Sequence, residues 1–278
     1  MGGRKVQETR RGSTGGRSDG GKRKRAAEEK NRQEEARVLR VAQNPMRVRS
    51  WCFLVVMVWA VEARAAECVV VLHGLARTSA SMSAMAGALE REGFGVVNVD
   101  YPSRTAPVEA LSEEAIGGAL EACRGRGAER VHFVTHSLGG ILVRSYLARH
   151  EVPELGRVVM LGPPNGGSEV VDRIGDWRLF EWVNGPAGRE LGTGEDAVPR
   201  RLGAAKFCVG IIAGNRSINW INSAMIPGPD DGKVSVERTK LAGMADHLVL
   251  PVTHPLMMRD AEAIRQTVAF LREGKFGR

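Results

Sequence analysis

Several classes of protein are excluded by what this chain lacks. Its four cysteines include no C-x-x-C pair and no Cys/His cluster, so no zinc site is spaced out in it. There is no internal repeat and, beyond residue 66, no low-complexity tract, which removes solenoids and arrays. The one long apolar run, Trp51 to Val61, has 11 residues, well short of the ~20 that span a bilayer. Positive charge is missing where a nucleic-acid surface would need it. The net charge is +8, but residues 1–65 hold 16 basic and 7 acidic residues, leaving 24 and 25 for the remainder. A basic tail that binds nucleic acid would therefore rest on residues 1–45 alone.

Those first 45 residues are rich in Arg, Lys, Glu, Gly and Ser, with almost nothing apolar before Val38. Such a stretch cannot bury enough surface to offset its ordering entropy and is expected to be disordered. Residues 46–65 read as a secretory signal. Met46-Arg47-Val48-Arg49 is the charged region, Trp51–Val61 the apolar core, and Ala63-Arg64-Ala65 an A-x-A cleavage pattern. Cleavage is expected after Ala65, giving a secreted or periplasmic protein. An uncleaved anchor over 51–61 is the alternative. Because signals act at an amino terminus, Met46 is the expected translation start, and residues 1–45 an over-extended gene model. Cys52 falls in the signal, so the mature chain keeps Cys68, Cys123 and Cys208. Export permits a disulfide, with Cys68–Cys123 one candidate pair. Buried free thiols are the other reading.

From residue 66 apolar strand-like runs alternate with helical ones. Strands are expected at 68–72, 96–99, 131–134, 158–161 and 207–213, with a short apolar run at 248–252. Helices are expected at 79–91, 111–123, 138–149 and 256–272. Near-continuous apolar strands separated by helices predict an α/β, doubly wound, mostly parallel sheet covered on both faces. Residues 168–205 break this rhythm with Val170, Val171, Ile174, Trp177, Phe180, Trp182 and Val183. They are expected to form a small helical cap whose aromatics either wall a substrate or pack onto the body. The domain is thus 66–278, with the cap inserted at about 168–205.

The stretch Val131–Gly140, VHFVTHSLGG, places Ser137 between a buried strand and a helix. That is the setting of a nucleophile elbow, where a sharp turn lifts the serine Oγ clear of the sheet. Thr135 stands where G-x-S-x-G has its first glycine. The bland alternative is a serine that only caps the helix. A serine nucleophile needs a base, and the base needs a third group to orient it. Downstream of Ser137 the only histidines are His247 and His254. His254 follows an apolar run at the expected active edge, whereas His247 precedes that run. For the acid, Asp231 and its neighbour Asp230 lie in a turn after a late strand. Asp172, Asp176 and Asp196 fall in the cap, Asp246 beside the less favoured histidine, and Asp100 before the serine. Backbone N–H groups of Leu138 and Leu75 are the expected oxyanion donors. His73 is expected to brace its loop, and His132 and His136 receive no role.

The segments VVLHGLAR at 70–77, VTHSLGG at 134–140, MLGPPNGGSEVVD at 160–172, DDGKVSVE at 230–237 and LPVTHPLMM at 250–258 cover the whole mature domain. In these it resembles the lipase-like serine esterase branch of the α/β-hydrolase superfamily. The resemblance implies Ser137, Asp231 and His254 as a triad, with Leu75 and Leu138 as oxyanion donors. It also implies ester hydrolysis with no cofactor and no metal. The expected partner is a small-molecule or lipid ester. The near-neutral charge after residue 65 points to an uncharged or apolar acyl group. An acyltransferase on the same fold and a non-catalytic binding protein are the rival functions.

Overall fold

The computed structural model describes residues 28–30, 32–33, 67–174, 178–218 and 220–277. The expected signal at 46–65 and most of the extension at 1–45 lie outside them, apart from residues 28–30 and 32–33. So do Asp176 and Trp177, and the side chains of Ile174, Phe180, Trp182 and Val183.

Within the compact unit Ala63–Arg278 the order is β1 (Glu67–Leu72), α1 (Ser83–Arg91), β2 (Gly95–Val99), α2 (Val108–Gly125), β3 (Arg130–His136), α3 (Leu138–Leu147) and β4 (Leu155–Leu161). Three helices follow: α4 (Glu169–Ile174), α5 (Arg178–Arg189) and α6 (Val198–Arg201). Then come β5 (Val209–Gly214), α7 (Trp220–Ser223), α8 (Val236–Thr239), β6 (Asp246–Leu250) and α9 (Ala261–Glu273). The strands form one sheet in the order β2-β1-β3-β4-β5-β6, every neighbouring pair parallel. The expected doubly wound class is what is observed.

Side chains alternate across a strand, and here both faces are apolar. Val70 and Leu72 of β1, Phe133 of β3, Val158 and Met160 of β4 and Ile211 of β5 pack with Leu111 and Ile116 of α2 and Ile141 of α3. Val69, Val71, Val134, Val159 and Ile212 point the other way, against Met85 and Leu89 of α1 and Phe270 of α9. This double burial explains the unbroken apolar runs. Phe133 is fully buried, and its truncation to Ala is worth about 3–5 kcal/mol. Cys68 on β1 and Cys123 on α2 are joined by a disulfide, with Cα atoms 5.8 Å apart. Cys208 is a free, exposed thiol.

Element ends differ from the expectations where hydrogen bonding outruns the apolar pattern. β3 continues through Thr135 and His136, which pair with Met160 and Leu161 of β4. β6 begins at Asp246 and stops at Leu250, because Pro251 has no N–H for the ladder. His247 is therefore inside the strand rather than before it. The last helix starts at Ala261, where the Asp260 carboxylate caps it by accepting from the Ala263 N–H. A 3-10 turn, Met257–Arg259, precedes it.

The chain runs outward from β1 to β2 and then returns to place β3 on β1's other side. The carboxyl ends of β1 and β3 thus flank the point where the winding reverses, the place where such sheets hold ligands.

Candidate active site

Ser137 sits between β3 and α3 with φ 52° and ψ −119°. A side chain other than glycine is strained there, and such strain persists only where the surroundings impose it. Here they do. The Ser137 N–H donates to the Leu161 carbonyl at 2.9 Å, pinning the turn to β4. A Cβ on Gly139 would lie 2.9 Å from the Leu72 carbonyl oxygen, and one on Gly74 2.7 Å from His136 Nδ1. The two loops approach too closely for side chains at either position. Thr135, the departure from the glycine pattern, is an ordinary buried member of the β3 ladder.

Asp231 and His254 come together. His254 Nδ1 lies 2.7 Å from Asp231 Oδ2, and both residues are buried. The carboxylate's other oxygen accepts from the N–H groups of Lys233 at 3.0 Å and Val234 at 2.9 Å. The His254 N–H donates to the Asp231 carbonyl at 2.9 Å, so the two loops are also tied through backbone. Since a carboxylate only accepts, Nδ1 carries a proton, and in the neutral ring the lone pair is then on Nε2.

The competing assignments are placed elsewhere. Asp230 Oδ1 accepts from the Gly232 N–H and the Ser223 hydroxyl. His247 Nε2 lies 2.9 Å from the Thr239 hydroxyl. Asp172 accepts from Thr193, and Asp100 from the Ser79 N–H. Asp246 accepts from the N–H groups of His247 and Phe276, and Asp196 is exposed.

His73 is a brace. Its Nδ1–H donates to the Gly74 carbonyl, and its ring stacks on Tyr101 with centroids 4.1 Å apart. The Tyr101 hydroxyl donates back to the His73 carbonyl at 2.6 Å. His132 Nδ1 accepts from the Arg157 N–H at 2.9 Å. His136, which sequence reasoning left without a role, donates from Nε2 to the His254 carbonyl at 3.0 Å. Its ring packs against that of His254, with centroids 4.6 Å apart. Burial, and then the neighbouring His254, hold its pKa well below the usual imidazole range. His136 is therefore a neutral strut under His254. Nothing local in the sequence signals this, because the partner is 118 residues away.

Ser137 and His254 line one cleft of 490 Å³, within the size range of small-molecule sites. Ser137 Oγ makes no hydrogen bond to His254 or to any other of the described residues; such contacts commonly tighten when substrate enters. Among the described residues Leu75, Val170, Val171, Leu191 and Ile218 supply an aliphatic wall. Ala76, Arg77, Lys233 and Asn184 also line it and were not singled out from sequence. The N–H groups of Leu75 and Leu138 make no hydrogen bond among the described residues, whereas that of Ala76 donates to the Ser103 hydroxyl at 3.0 Å.

A further tie runs from α3 outward. The buried guanidinium of Arg144 donates to the carbonyl of Asn165 and its Oδ1, and to the carbonyls of Pro199 and Gly203 at 2.8 Å each. It fastens the loop after β4 and the end of the segment around α6 to the helix that follows Ser137.

Comparison with known proteins agrees with this architecture. A model of the alpha/beta hydrolase family matches residues 69–267. Among solved structures, the mature form of Bacillus licheniformis lipase BlEst2 gives a TM-score of 0.60 at 21% identity, covering 76% of this chain and 92% of that one. This chain covers 51% of the same lipase in its propeptide form. Aspergillus fumigatus lipase B gives a TM-score of 0.55 at 14% identity, covering 76% of this chain and 54% of that one. The metagenomic carboxyl esterase MGS0156 gives 0.53 at 17% identity, with coverages of 69% and 65%. At these identities the likeness is one of fold. No curated protein sequence matches the chain.

Proposed function

The chain belongs to the alpha/beta hydrolase family, and from that premise we propose that it is a serine hydrolase of carboxylic esters. The observation that carries the reading is the short Asp231–His254 hydrogen bond in the cleft that also holds Ser137 on its strained turn. In this reading Ser137 Oγ attacks the acyl carbonyl while His254 Nε2 takes its proton. Asp231 holds the imidazole in the required tautomer and stabilises its charged form. The unpaired N–H groups of Leu75 and Leu138 receive the oxyanion. The ester C–O bond then breaks, and the proton on Nε2 passes to the leaving alcohol. Water, deprotonated by the same imidazole, cleaves the acyl-enzyme and restores the serine.

The helices between 169 and 201 act as the small cap, their aliphatic side chains receiving the acyl chain. The mature protein begins after Ala65 and works outside the cytoplasm. The Cys68–Cys123 disulfide supports this, since such bonds persist in oxidising compartments. No helix among the described residues is long and apolar enough to cross a membrane.

The test is turnover of p-nitrophenyl esters by residues 66–278. Ser137→Ala abolishes it, and a fluorophosphonate labels Ser137 in the parent protein. Retained turnover in the variant sinks the assignment.

A further inference from the structure

The near-neutral charge after residue 65 conceals an uneven distribution at the cleft. Arg77, from the loop after β1, and Lys233, two residues past Asp231, both line it. Neither side chain makes a hydrogen bond or ion pair among the described residues, nor does that of Arg259. Some arginines elsewhere find carboxylates, Arg124 with Glu154, Arg149 with Glu113 and Arg272 with Glu92, while others such as Arg104 and Arg216 do not among the described residues; Arg77 and Lys233 differ from these in lining the cleft. Among the described residues the only acidic one lining the cleft is Asp231, and its two oxygens are committed to His254 and to two backbone N–H groups.

These cations also bear a cost. Burial, then repulsion from Arg259, lowers the pKa of Arg77. Lys233 is reachable from solvent, yet it is crowded enough that desolvation lowers its pKa against the pull of Asp231. Unpaired cations gathered in a concave, partly desolvated site are a poor arrangement for stability alone. They suit an anionic ligand, for which a guanidinium fork and an ammonium are matched donors. Apolar surface lies with them: Ile218, which is exposed, and Pro255 are on the cleft wall, and Trp220, Ile221 and Leu256, near these in sequence, are exposed too.

We infer that the cleft takes an amphiphilic carboxylic ester carrying its own oxyanion group, phosphate or carboxylate, which Arg77 and Lys233 hold while Ser137 meets the ester carbonyl. This inference rests on the serine hydrolase reading above and narrows its substrate class. It also departs from the uncharged ester that overall charge suggests, because net charge averages over surfaces the substrate never meets.

The experiment compares matched esters on residues 66–278. One pair places the anion on the acyl side: p-nitrophenyl octanoate against p-nitrophenyl hydrogen suberate. The other places it on the alcohol side: 1-hexanoylglycerol against 1-hexanoylglycerol 3-phosphate. At least one anionic member is expected to show the higher kcat/KM, by about ten-fold, the scale of one or two charge-assisted hydrogen bonds. Arg77→Gln and the exposed Lys233→Gln each shrink that ratio, as does added salt. A second readout needs no turnover. Labelling of Ser137 by a neutral fluorophosphonate is slowed more by octyl phosphate than by octanol, and Lys233→Gln narrows the difference. Neutral esters preferred in both pairs, or a ratio indifferent to both substitutions, overturns the anion site and leaves the hydrolase standing. Absence of both turnover and labelling overturns the hydrolase reading, and this one with it.

Discussion

The two halves of the site are held by different physics. On the side of the proposed nucleophile, Ser137 is fixed by steric exclusion. Strands β1 and β3 and helix α3 approach so closely that only glycine fits at 74 and 139. On the acid–base side, Asp231 and His254 stand on loops beyond β5 and β6. They are fixed by a web of hydrogen bonds: the carboxylate's three, the backbone tie between the loops, and the strut from His136. Close packing tolerates no added atom, while a bonded web tolerates no lost partner. The first half should therefore fail by loss of stability, and the second by loss of rate.

The largest effect expected is on rate. Asp231→Asn keeps the shape but lets the imidazole adopt the wrong tautomer, a change worth about 10⁴-fold in kcat. Asp230→Asn, one residue away, falls far short of that because Asp230 binds Gly232 and Ser223 instead. Ester kinetics on both variants decide between them, and equal losses would erase the distinction. On the nucleophile side the Cys68–Cys123 bridge closes 55 residues, and chain entropy makes that worth about 4 kcal/mol. Cys123→Ala should lower the denaturant midpoint accordingly.

Next comes Gly139→Ala, whose methyl meets two carbonyl oxygens within 3.0 Å. A loss of about 1–3 kcal/mol is expected. Gly118→Ala in α2 meets nothing within 4 Å and should instead gain up to about 1 kcal/mol in helix propensity. Thermal unfolding of the pair tests whether close approach alone sets the sign.

The smallest effect is graded with pH. Burial lowers the pKa of His73, His132 and His136 from 6.5, and all three lie on β3 or the loop after β1. A base whose folded pKa is depressed contributes its full share of stability above its unfolded pKa. That share is lost as pH falls from 6.5 toward the folded value, because the unfolded chain binds the extra proton. The slope is at most about 1.4 kcal/mol per pH unit for each group. Calorimetry at pH 8, 6.5 and 5.5 should show Tm flat over the first interval and falling over the second. A Tm that rises on acidification contradicts the neutral state of these imidazoles.

Much of the architecture was legible in the sequence, because both faces of a parallel sheet are buried and leave unbroken apolar runs. The elbow was legible because its strand, serine and glycines are contiguous. Strand ends were less so: Thr135 and His136 pair with β4 although neither is apolar. The sequence favours Asp231 over its close alternative Asp230, but the contact with His254 is seen only in the structure, since one residue of turn geometry decides which carboxylate faces the imidazole. His136, Arg77 and Lys233 escaped notice for a related reason. Their significance lies in neighbours brought together across the chain, and overall charge averages such local gatherings away.

The joint made by Arg144 has a further property. Its partners are four neutral oxygens, none of which can take up a proton under ordinary conditions. Burial brings the guanidinium only down to about 10, so it stays cationic in acid and at neutrality alike. Acidification that loosens the imidazole-rich flank has no grip on this clasp. The segment around α6 therefore stays buttoned to the nucleophile's helix while its surroundings soften.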